Sequence, residues 1–136
     1  MTRYVALIDG EAGAYGVIFP DAPGCAAMGA TQDEALNDAA DALAEWVADE
    51  LAGGRDAPEA RSAEALLKDR EVAAAVQAGA VLASVPLLLD TGRLARANIS
   101  LDSGLLAQID EAARQRGVTR SAFLAAAARD KIKASA

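Results

Sequence analysis

Arg96, Asn98 and Ser100 stand at alternate positions in the run Arg96-Ala97-Asn98-Ile99-Ser100-Leu101, with apolar residues between and after them. In an extended strand a period of two sends the three polar side chains to one face and the three apolar ones to the other. Arginine can bond guanine O6 and N7 as a fork, and asparagine can bond adenine N6 and N7, so the polar face carries residue types that read base edges in a DNA major groove. Further along, Thr119-Arg120-Ser121 stands at the start of an apolar periodic stretch. Free N–H groups and the macrodipole at such a helix start attract phosphate. Phosphate contacts fix position, whereas base contacts carry sequence information. The same six residues would also serve as a solvated strand face and an ordinary helix cap, and the pattern alone leaves both readings open.

Catalytic chemistry has little to work with. The chain contains no histidine, which removes the commonest general base and metal ligand. Two-metal nuclease chemistry needs clustered carboxylates. Asp9 and Glu11 fall in an expected turn, and no other set suggests itself. Cys25, the single cysteine, has no histidine to activate it and reads as a core residue. Gly10, Gly13 and Gly16 resemble a phosphate loop superficially, but no helix follows them. The residues therefore predict no catalytic site, no metal and no cofactor.

The elements that must position the polar face follow from periodicity. Arg96–Leu101 reads as a half-buried strand. Helical spacing then places Leu105, Leu106, Ile109, Ala112 and Ala113 on one face until Gly117 breaks the pattern. Thr119 caps a second helix that carries Phe123, Leu124, Ala127, Ala128 and Ile132. A lone strand leaves its hydrogen-bonding edges unpaired. Pairing with the same strand of a second chain solves this and predicts an intertwined homodimer. Whether dimers pair into tetramers stays open.

The first ninety residues have a different grammar. Tyr4–Ile8 and Tyr15–Phe19 predict a hairpin across the turn-forming residues 9–13. Pro20-Asp21-Ala22-Pro23-Gly24 is a rigid turn, and Cys25–Gly29 a third strand. Thr31 and Glu34 match the T-x-x-E capping box. Behind it Leu36, Ala39, Ala40, Leu43, Val47 and Leu51 recur at helical spacing up to Gly53-Gly54. Ser62 is expected to cap a further helix through about Ala78, and Ala80–Leu88 a strand whose Pro86 puts it at a sheet edge or at the strand's own end. The order βββα(α)β predicts a small α+β sandwich over residues 1–90, followed by a second domain over residues 91–136.

Charge divides the chain in the same place. The net −7 combines twelve acidic and two basic groups in residues 1–60 with eight basic and four acidic groups in residues 93–136. Such asymmetry predicts two surfaces for two kinds of partner. The run Tyr4–Ile8 is too short for a signal peptide, and Ala80–Leu89, interrupted by Ser84 and Pro86, is far shorter than the roughly 18 residues of a membrane span. One cysteine suits a reducing compartment. A cytoplasmic protein without membrane contact is expected.

The R-x-N-x-S run, the two apolar-faced helices and the Gly117-Val118-Thr119-Arg120-Ser121 junction resemble the ribbon-helix-helix family over roughly residues 93–133. That resemblance implies a dimeric β-ribbon reader of operator DNA. Asp102 departs from the family, which often has proline there. Tyr15-Gly16-Val17, Phe19-Pro20-Asp21-x-Pro23-Gly24-Cys25, Gly29-x-Thr31 and Glu34-Ala35 resemble the HicB antitoxin family over about residues 3–90. It implies a degenerate ribonuclease-H-like fold and a non-enzymatic role in a type II toxin–antitoxin system: masking a HicA-type RNA-cleaving toxin and repressing the operon that encodes both. An acidic surface suits a basic, RNA-handling partner, although Asp38, Asp41, Glu45 and Asp49 could equally just solvate a helix. The alternative is a solitary ribbon-helix-helix regulator whose first domain binds another protein or a ligand.

Overall fold

The computed structural model describes residues 1–134. The chain divides into two compact units, Met1–Leu89 and Asp90–Ile132.

The first unit is built on a four-stranded antiparallel sheet of β1 (Arg3–Glu11), β2 (Ala14–Ile18), β3 (Ala26–Gly29) and β4 (Val81–Pro86), in the spatial order β3-β2-β1-β4. Register follows the alternation of side chains. Leu7 lies opposite Ile18 on one side and Leu82 on the other, and Ile8 opposite Val17 and Val81. β1 runs three residues past Ile8, so Asp9 and Glu11 belong to the strand and not to the turn expected for them. The turn is tighter, only Ala12 and Gly13, with Gly13 at φ of 91° and Gly10, still within β1, at 108°, a region open mainly to glycine. Pro86 closes β4, an edge strand, where its missing N–H costs no ladder bond.

One sheet face is covered by α1 (Gln32–Ala52). Thr31 Oγ1 accepts the Glu34 N–H at 3.1 Å, and Glu34 Oε2 accepts the N–H of Ala30 at 3.1 Å, one residue before the cap. The helix buries Ala35, Ala39, Ala40, Leu43 and Val47 against Tyr4, Ala6, Ile8, Val17 and Phe19. Leu36 is half-buried, and Leu51, expected on this stripe, is exposed in the last turn. The small Ala35 and Gly29 let helix and sheet approach closely: a Cβ on Gly29 would lie 2.4 Å from the Ala35 nitrogen.

The other face carries a smaller cluster of Leu7, Leu66, Val72 and Ala80. The single helix expected from Ser62 to Ala78 is two: α2 (Ala63–Leu66) and α3 (Arg70–Gln77). Asp69 caps α3, accepting the N–H groups of Glu71 and Val72 at 2.9 and 3.5 Å. The break has a geometric cause. Leu66 and Val72 are six residues apart and would point about 120° away from each other on one continuous helix.

The second unit holds α4 (Ser103–Gln115) and α5 (Arg120–Ala134). Asp102 caps α4 through a 3.1 Å bond from the Leu105 N–H, and Gly117, at φ 67°, turns the chain. Only Ile109 and Ala113 are buried on α4, and no residue of α5 is. Residues 87–102 form no helix or strand within the chain.

Candidate functional site

The six residues picked out by their chemistry all lie in the second unit, in two places. Arg96, Asn98 and Ser100 sit on the irregular segment, every one exposed. The apolar residues around them are exposed as well: Leu94 entirely, Ile99 by 62% and Leu101 by 38%. The expected strand was for pairing between two chains, and within one chain the segment has no strand to pair with among the described residues. Its polar side chains are thus presented without a rigid frame from their own chain.

Thr119, Arg120 and Ser121 lie at the start of α5. The Thr119 hydroxyl accepts the Ala122 N–H at 3.1 Å and its carbonyl the Phe123 N–H at 2.9 Å, so Thr119 caps the helix. Arg120 is engaged from inside the unit: its Nε and one terminal nitrogen donate to the two carboxylate oxygens of Asp110 at 2.7 and 2.8 Å. This fork ties α5 to α4. It holds the Asp110 carboxyl below its usual range, chiefly through the hydrogen bond, and raises the Arg120 guanidinium for the same reason. Arg116 adds a second tie, its guanidinium 5.4 Å from the centre of the Phe123 ring, a distance at which a cation and an aromatic face attract. Sequence reasoning missed the Asp110 partner because the pair is ten residues apart across a turn, outside any helical spacing rule.

In the first unit, carboxylates are structural or solvated. Asp21 accepts the Arg61 Nε at 2.6 Å and the Arg61 backbone N–H at 2.9 Å, with only 6% of its side chain exposed. The Tyr4 hydroxyl donates to the Pro58 carbonyl at 2.6 Å. Burial, and then the nearby Asp21 charge, pushes the Tyr4 phenol up. Together they pin residues 58–61 to the sheet. Cys25 is buried, which raises its thiol. Among the described residues no three potential ligands gather as a metal site would need, and no helix is long and apolar enough to cross a membrane.

The family model described as the HicB_like antitoxin of bacterial toxin-antitoxin system matches residues 4–128. Among solved structures, the chain is similar to the Burkholderia pseudomallei antitoxin HicB, with 32% identity over 95% of this chain and 97% of that one and a TM-score of 0.57. The antitoxin HicB3 matches at 25% identity and TM-score 0.54, over 96% of this chain and 98% of its own. A chain of the HicA3 and HicB3 toxin-antitoxin complex shares the fold at 21% identity and TM-score 0.52, over 65% of this chain and 99% of that one. Comparison with curated proteins gives no significant match.

Proposed function

This chain belongs to the HicB-like antitoxin family, and from that premise we propose that its two units divide the work of an antitoxin and an autorepressor. The first unit masks a HicA-type, RNA-cleaving toxin. The second dimerises, reads operator DNA and represses the operon. The protein is itself no enzyme and acts in the cytoplasm without a cofactor.

The observation that carries the DNA-binding half is the segment 96–101. It is exposed and unpaired, with apolar side chains and base-reading side chains in strict alternation. Two such segments from two chains would pair as an antiparallel ribbon, bury Ile99 and Leu101 against the helices and leave Arg96, Asn98 and Ser100 facing a groove. The cap at Thr119, with Arg120 and Ser121, would lie against the phosphates. A toxin partner is supported by the relative found in the HicA3–HicB3 complex. It is supported as well by the acid excess of residues 1–60, which would steer a basic partner.

The test is co-expression with the small reading frame adjacent in the genome, scored for rescue of growth and for co-purification. Neither would be seen if the protein were a solitary regulator. For the second half, Asn98→Ala should weaken operator binding by about 1–3 kcal/mol, as loss of a bidentate base contact does, with rescue intact. An unchanged footprint would remove Asn98 from the reading face.

A further inference from the structure

The second face of the sheet is only half covered. α2 and α3 pack over its β1–β4 side, around Leu7, Leu66, Val72 and Ala80. Over β2 and β3 no helix of this unit covers it among the described residues. There Met28 is 72% exposed and Ile18 54%, and a shallow groove of about 370 Å³ runs between these strands and Ala75. Register gives its floor: Ile18 faces Ala26 and Leu7 across the ladders, and Gly16 faces Met28 and Asp9. Gly16 leaves a notch in that second row. A Cβ placed on it would come within 3.8 Å of Asp9 Oδ1, so the Asp9 carboxylate lies alongside the notch. Every other residue lining the groove is uncharged.

We propose that this groove is the seat of a lysine or arginine side chain from the protein partner, so that the toxin docks across β2 and β3. The inference rests on the antitoxin reading above. A bare apolar patch would accept many occupants, but one exposed carboxylate at the head of a methyl-lined trough selects a long aliphatic stem ending in a cation. Glu11, two residues along the same face of β1, extends the negative end. The same charge disfavours a second copy of this chain. Two units with the excess of acid that residues 1–60 carry would bring like charges together, whereas a protein that grips RNA phosphates must present cations.

The experiment measures binding of the full chain to a catalytically inactivated form of the toxin encoded beside it, by calorimetry at two salt concentrations. Asp9→Lys and Met28→Lys should each weaken binding by at least about tenfold, as loss of a central contact does. Asp9→Asn, which keeps the shape, should weaken it less, and its effect should shrink at high salt. Glu59→Lys, on the exposed loop before Arg61, should bind like the unaltered chain. Binding by all three groove variants within twofold of the unaltered chain would overturn the groove assignment while leaving the antitoxin reading standing. No binding by the unaltered chain would fail that reading, and the groove proposal with it. A lower mass of the free Met28→Lys chain in sedimentation, with toxin affinity unchanged, would identify a second copy as the occupant and also overturn the proposal. Melting temperatures within a few degrees of each other establish that the variants are folded.

Discussion

Asp21 sits in the Phe19–Cys25 stretch that carries the family resemblance, yet its geometry makes it a latch. Asp21→Ala removes two acceptors at once, one for the Arg61 side chain and one for the Arg61 backbone N–H. Hydrogen bonds to charged groups contribute about 1.5–3 kcal/mol each when both partners are dry. The Arg61 side chain is 40% exposed, so its freed guanidinium regains water and that bond belongs near the surface value of about 1 kcal/mol. The backbone bond, made to a nearly buried carboxylate, adds about 1.5 kcal/mol. The expected loss is about 2–3 kcal/mol, or about 10–20 °C in melting temperature for a unit of this size. Asp21→Asn can keep one acceptor and should lose roughly half as much. Arg61→Ala leaves a carboxylate poorly partnered, so the double variant should be less damaged than the sum of the singles. Thermal unfolding followed by circular dichroism reads the four variants beside the unaltered chain. An Asp21→Ala midpoint within about 3 °C of the unaltered chain would mean that the 2.6 Å pair does not hold residues 58–61 in place, and the latch would be wrong.

Other outcomes follow from the same kind of geometry. Gly29→Ala drives a methyl into the backbone of Ala35 and should cost at least about 2 kcal/mol, since helix or strand must move; a normal urea midpoint would contradict the close approach. The raised Tyr4 phenol means that its stabilising contribution is complete below the unfolded value of about 10 and is lost as pH rises from there through the folded value. Tyr4→Phe should therefore lower stability at neutral pH by about 1 kcal/mol and flatten the alkaline limb of a pH–stability curve. Asp110 has the opposite sign. Its carboxyl is held low by Arg120, so its contribution is present above the ordinary carboxylate value of about 3.9 and is lost as pH falls through the folded value. Asp110→Asn should make the helicity of the second unit less sensitive to acid, measured by circular dichroism between pH 5 and 2 (roughly the carboxylate range).

What the sequence disclosed, and what it hid, sorts by the range of the forces involved. The α1 helix was legible because its stripe repeats over about four turns and both ends carry local signals, Thr31 and Gly53. The break at Lys68-Asp69 was not, because Asp69 stands in a run of charges that hides its capping role, and the need to bury both Leu66 and Val72 is a property of the sheet beneath. Asp9 and Glu11 read as turn because the glycines at 10 and 13 carry turn chemistry, yet β1 continues through them because β2 is there to pair with it. The groove was invisible for a deeper reason. It is made by absences, the missing side chain of Gly16 and the short ones of Ala14 and Ala26, and by a helix that stops short of covering them. Arg120 showed the limit from the other side: its residue type pointed outward to phosphate, and no local pattern disclosed that Asp110 across the turn holds two of its nitrogens.

The contrast between the two cores has a consequence for the lifetime of the protein. Met1–Leu89 closes its own interior, whereas the helices of Asp90–Ile132 bury two side chains between them. Folding of the second unit should therefore depend on how many copies are present, as it does wherever association supplies the missing core. Dilution would loosen it first and expose the irregular run from Leu87 to Asp102 to proteases, which favour such unpaired chain. A cut there would leave a self-sufficient acidic unit and a short helical fragment, so that the two halves of one polypeptide would age at different rates.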